Sequence, residues 1–189
     1  MTSGSAVLLS ALERRQLLCI ARRSVAVTIG AVSTRMFEFE VAAIALRQHA
    51  GAFVTLRLDH VIRGCIGHIE ADRPLVDVVR RVAIAAATED PRFGPVTANE
   101  LPGIVFEVSV LGPLVEHADP LQIEVGRHGL VVDDGVSHGL LLPQVAVEWG
   151  WDARMFLAQT CKKAGLGSDA WRTTARVFVF EAEVFGEDD

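Results

Sequence analysis

The stretch that most limits what this chain can become is Ala52–Ile69. Ala52-Phe-Val-Thr-Leu-Arg-Leu58 alternates, Asp59-His60 supplies a two-residue turn, and Val61-Ile-Arg-Gly-Cys-Ile-Gly-His-Ile69 returns. That pattern predicts a β-hairpin. Successive side chains of a strand point to opposite faces, which puts Ile62, Gly64 and Ile66 toward a core and Arg63, Cys65 and Gly67 on the other side. The second face then carries a cation and a thiol between positions that lack side chains. Strand glycines mark close approach by a ligand or another backbone. Arg63 and Cys65 are therefore expected on the floor of a site, with Gly64 and Gly67 binding its ligand.

The rest of the chain supplies both helices and strands. Ser10 and Glu13 form a capping-box pair ahead of an amphipathic helix, Ala11 to about Ile29, with Leu17, Leu18, Ala21 and Val25 at helical spacing. Cys19 within it reads as a small core residue. Thr34–Gly51 reads as a loop followed by a short helical or extended piece. Asp72 is expected to cap a helix over Leu75–Thr88, with Pro74 near its first turn. Glu89-Asp-Pro-Arg-Phe-Gly-Pro95 breaks that helix, and Asn99–Pro102 suggests a single helical turn. Ile104–Leu111 is a strand with Glu107 in its middle. A second hairpin joins Leu130–Val132 to Gly139–Leu142 around Asp133-Asp134-Gly135. Short helices follow over Gln144–Trp149, after Pro143, and Ala153–Ala164, capped by Asp152. Ala175–Phe185 closes the chain as a strand. Hairpins mixed with helices that do not strictly alternate favour α+β, a mostly antiparallel sheet with flanking helices, as one domain of two sublobes.

Composition narrows the partners. A formal charge of -6 and no run of like charges argue against phosphate-backbone binding as the main activity. The three cysteines are widely spaced, which argues against a disulfide framework and fits a reducing compartment. The start has no basic, then apolar, leader pattern, and no apolar run approaches a membrane span, so a cytoplasmic protein is expected. No Walker-type or GxGxxG loop supports nucleotide binding.

Seven strings occur in a fixed order: Arg63-Gly-Cys-Ile-Gly67, Asp90-Pro-Arg-Phe93, Glu107-Val-Ser-Val-Leu111, His128-Gly-Leu130, Leu141-Leu-Pro-Gln-Val-Ala-Val-Glu-Trp-Gly-Trp-Asp152, Cys161-Lys-Lys-Ala-Gly-Leu166 and Asp169-Ala-Trp171. Together they resemble the AMMECR-type domain, over nearly the whole chain. The resemblance implies a larger and a smaller lobe enclosing a cleft lined by the Arg-Gly-Cys-Ile-Gly segment. It also implies membership of the AmmeMemoRadiSam set, with Memo-like and radical SAM proteins as partners, but it lends no reaction. His68 stands where a small hydroxyl residue is expected.

Two functions of different class follow. In the first, a cysteine-centred cleft acts on or carries a small molecule or modified macromolecule. Cys65 would be nucleophile or carrier and His128 base. Arg63 would stabilise the thiolate, with Glu107 or Glu148 orienting the base. Gln144, at the start of its short helix, would help hold a polar ligand. In the second, the chain is a non-catalytic adaptor for the partner proteins. Nucleic-acid recognition is a weaker alternative. A metal set of Cys65, His68, His128 and His138 lacks paired ligands at short spacing, so neither metal nor cofactor is expected. The three tryptophans are expected in packing roles rather than as a stacking platform.

Overall fold

A computed structural model of the protein describes residues 9–33, 43–117 and 119–188. They form an α+β fold of antiparallel strands with flanking helices. Two compact units are present, one holding the described residues of Ala6–Leu111 and Glu183–Asp189, the other those of Gly112–Ala182.

In the first unit, α1 spans Ala11–Thr28 and begins with the expected capping box. The Glu13 carboxylate accepts from the Ser10 amide at 2.7 Å, and Ser10 Oγ accepts from the Glu13 amide. The hairpin forms from β1, Ala52–Leu58, and β2, Val61–His68. Asp59 and His60 both adopt positive φ, 51° and 64°, the signature of the type I′ turn that matches strand twist. β3, Ile104–Leu111, pairs antiparallel with the other side of β1, which leaves β2 at the sheet edge.

One sheet face is apolar because Val54, Leu56, Phe106 and Val108 alternate onto it. That face packs with α2, Leu75–Thr88, which contributes Leu75, Val79, Val82 and Ala86, and with Leu17, Ala21 and Val25 of α1. Glu187 closes the unit: it pairs with Arg22 at 2.6 Å and accepts the Phe106 amide at 2.9 Å.

The structure corrects the sequence reading at several points here. Leu56 pairs with Gly64 but Arg57 with Ile62, so a bulge leaves Arg63 as an extra residue and breaks the strict alternation. Asp72 does not cap α2, whose N-cap is Pro74 with no side-chain bond. Its carboxylate instead holds His68 Nε2 at 2.7 Å and Arg73. Of Thr34–Gly51, residues 34–42 lie outside the described residues, and Ile44–Arg47 is a turn of 3-10 helix. A second such turn, Leu101–Gly103, stands close to the expected single turn.

In the second unit, β5, His128–Asp133, and β6, His138–Leu141, form the expected hairpin. β7, Arg176–Gly186, whose residues as far as Ala182 belong to this unit, pairs with β5, and a short β4, Val115–Glu116, which the sequence did not announce, pairs with β7. α3 spans Pro143–Glu148 and α4 spans Ala153–Lys163. Asp152 caps α4 by accepting the Met155 amide at 2.7 Å. The core joins Leu130, Val132, Phe156, Leu157, Cys161, Trp171 and Val177.

Candidate functional site

The polar face of the β2-β1-β3 sheet lies opposite α2. It carries Cys65 and Gly67 on β2, Phe53, Thr55 and Arg57 on β1, and Glu107 and Ser109 on β3, in register across the three strands. Thr55 is the hub, with Cys65 on one side and Glu107 on the other. Its hydroxyl donates to the Cys65 sulfur at 3.3 Å. Arg57 and Glu107 approach to 3.9 Å, and both are only about a quarter exposed. Ser109 is fully buried, and its Oγ has no partner among the described residues.

The loop after α2 runs along the free edge of β2. Asp90 is buried and its Oδ2 accepts the Cys65 amide at 2.9 Å, which blunts an edge that would otherwise invite pairing. Arg92 folds back on the same carboxylate at 2.7 Å. The Arg92 guanidinium, with the Cys65 and Arg92 amides, holds the Asp90 carboxyl well below the usual carboxylate range.

Arg63 belongs to the same strap. Its guanidinium donates to Glu100 Oε1 at 2.8 Å, the Gly94 carbonyl at 2.9 Å and the Pro95 carbonyl at 3.3 Å. With the Thr97 amide and hydroxyl also donating to Glu100, that carboxyl titrates at about 2. Arg63 therefore holds the loop 94–100 down on the sheet.

Cys65 itself is half-buried. Burial pushes the Cys65 thiol up; the Thr55 hydroxyl and Arg92 pull it down, and Asp90 and Glu107 push it further up. The cation that lowers the Cys65 thiol is Arg92, not the neighbouring Arg63. Sequence reading missed Thr55, Asp90 and Arg92. The Asp90-Pro-Arg-Phe string was visible, but no spacing rule links it to a strand 25 residues earlier.

Both strand glycines have packing reasons. A Cβ on Gly64 would stand 2.1 Å from the Ala86 carbonyl oxygen, so Gly64 lets α2 lie directly on β2. A Cβ on Gly67 would meet the Phe53 ring at 2.2 Å. Both are close approaches, but by the protein's own groups.

His128, Gln144 and Glu148 belong to the second unit, whereas Cys65, Arg63 and Glu107 belong to the first. His128 opens β5; its Nδ1 accepts the Glu124 amide at 3.2 Å, and its ring meets His117 edge-on. Gln144 is half-buried on α3, with Oε1 unpartnered among the described residues. Glu148 is exposed at the end of the same helix. Trp171 is core, as expected, but Trp149 is 69% exposed and stacks on Trp151 at 6.0 Å. Among the described residues, no three histidine, cysteine or carboxylate side chains converge as a metal set. Nor is any described helix long and apolar enough to cross a membrane.

This arrangement of strands, strap and core can be set beside known proteins. The AMMECR1 family model matches residues 18–185. The chain belongs to the AMMECR1 family. Similar members include a protein of Methanothermobacter thermautotrophicus, 49% identical over 153 residues, covering 75% of this chain and 78% of the relative. A protein of Thermococcus onnurineus is also 49% identical, over 154 residues, covering 76% of this chain and 75% of its own length. The crystal structure of the uncharacterised protein PH0010 from Pyrococcus horikoshii matches with a TM-score of 0.84 at 41% identity, over 92% of this chain and 90% of that one. None of these AMMECR1 relatives carries a name that states an activity.

Proposed function

We propose that this AMMECR1-family chain is a non-catalytic binding module, an adaptor for Memo-like and radical SAM proteins. The observation that carries the reading is the state of Cys65. Its sulfur accepts a hydrogen bond from Thr55, and burial raises its thiol pKa. A thiol so placed is a poor nucleophile near neutral pH, because the thiolate is the reactive form. Arg63, the cation that a catalytic reading needs, is committed to Glu100 and two carbonyls. Four side chains, Arg63, Glu100, Asp90 and Arg92, are engaged in anchoring one loop, an arrangement that suits recognition better than turnover.

The test is alkylation of the full chain with iodoacetamide across pH, with each cysteine followed by peptide mass. Cys65 is expected to react only above the ordinary thiol range of about 8.5, and co-purification with a partner is expected to survive Cys65→Ser. Rapid alkylation of Cys65 well below that range would return the chain to the cysteine-centred reading, with Arg92 as the activating cation.

A further inference from the structure

A cleft of about 460 Å³ opens between the free edge of β2 and the exposed side of α2, entirely within the first unit. That volume falls within the roughly 300–1,000 Å³ of ligand clefts. Its floor is apolar, from Ile66, Ile84 and Ala85, and its wall on the strand side is Gly67. In an antiparallel ladder the outward-pointing backbone groups recur at every second residue. The Cys65 amide points outward, to Asp90, so the Gly67 amide and carbonyl point outward as well. The strap takes the first; among the described residues no strand or loop takes the second.

The helix side carries opposite charges at its two ends. Arg80 is tied to Asp77 at 2.7 Å, and His68 is held by Asp72. Arg81 and Glu89, both exposed and both lining the cleft, make no side-chain bond among the described residues. Glu89, the C-cap of α2, stands eight positions after Arg81, about 12 Å along the axis, the reach of roughly four residues of extended chain.

We infer that this cleft binds an extended segment of a partner protein by strand addition to the edge of β2. The segment carries an acidic side chain for Arg81 and a basic one about four residues away for Glu89. Between them, alternate apolar side chains face Ile66, Ile84 and Ala85. Backbone pairing at Gly67 provides affinity, and the two charges set register and direction. The inference rests on the binding-module reading and locates its surface.

The probe is a display library of random ten-residue peptides, panned on the full chain, with the enriched peptides measured by fluorescence polarisation. Enriched peptides are expected to show an acid and a base about four positions apart. Arg81→Glu should weaken them at least tenfold, and Arg81→Glu with Glu89→Arg should restore affinity for the charge-swapped peptide. N-methylation of the peptide should abolish binding only at the one residue that pairs with Gly67. Lys162→Glu, on α4 in the other unit, should change nothing. Failure to enrich peptides, or affinity indifferent to Arg81→Glu, overturns the inference. Self-association of the chain lost in Arg81→Glu also overturns it, since the cleft then belongs to a second copy. If partner proteins still co-purify with Arg81→Glu while no peptide binds, the cleft assignment falls and the adaptor reading stands.

Discussion

Gly64→Ala separates a packing glycine from a ligand-facing one. The new Cβ would lie 2.1 Å from the Ala86 carbonyl oxygen and 3.0 Å from its carbon, where real Cβ contacts stay above 3.0 Å. Helix and strand must therefore separate by about 1 Å at their point of contact. Neither group is a flexible side chain that can turn aside. Ala86 is α2 backbone, and the helix is held from beyond by α1 through Leu17, Ala21 and Val25. Overpacking of this kind costs roughly 1–3 kcal/mol, and a backbone-to-backbone clash belongs at the top of that range. With a urea dependence of about 2 kcal/mol per molar, 3 kcal/mol lowers the midpoint by about 1.5 M.

The assay can assign the loss to one unit. All three tryptophans, Trp149, Trp151 and Trp171, belong to the Gly112–Ala182 unit, whereas α1 and α2 belong to the other. Helical ellipticity at 222 nm, to which α1 and α2 contribute more residues than α3 and α4, should therefore shift to lower urea in Gly64→Ala by more than the tryptophan signal does. Gly67→Ala meets a half-buried phenyl ring that can rotate, so its shift should be much smaller. A midpoint change below about 0.3 M in Gly64→Ala would refute the packing argument.

Glu100 sets a pH dependence. Its carboxyl titrates at about 2 in the folded chain, chiefly through Arg63, against about 4.3 when unfolded. A depressed folded value contributes stability above the unfolded value, and that contribution is lost as pH falls through about 2. Glu100→Gln is therefore expected to be less stable than wild type at pH 7. The difference should narrow between pH 4.3 and 2, read from urea midpoints at each pH. A difference constant over that window would show that Arg63 does not act through this carboxylate. Asp152→Ala removes the cap of α4 and should cost about 1 kcal/mol. Tryptophan fluorescence should register that loss, and Asp152→Ser should recover most of it.

What the sequence determined by itself was local. The capping box at Ser10 and Glu13, the type I′ hairpin at Asp59-His60, the Asp152 cap and the apolar face of Ile104–Leu111 all depend on residues a few positions apart. Periodicity and turn chemistry reach that far. The family strings added the kinship, since seven segments in one order leave little else for the chain to be.

Tertiary structure decided what the distinctive residues do. That Gly64 faces the Ala86 carbonyl, that Arg63 strikes Glu100 and that Asp90 receives the Cys65 amide are contacts across 22 to 37 residues of chain. A strand's alternation names a side chain's face but not what meets it, and the bulge at Arg63 altered even the face. The same holds for the thiol: its reactivity follows from burial and neighbouring charge, which exist only once helix, sheet and strap have been brought together.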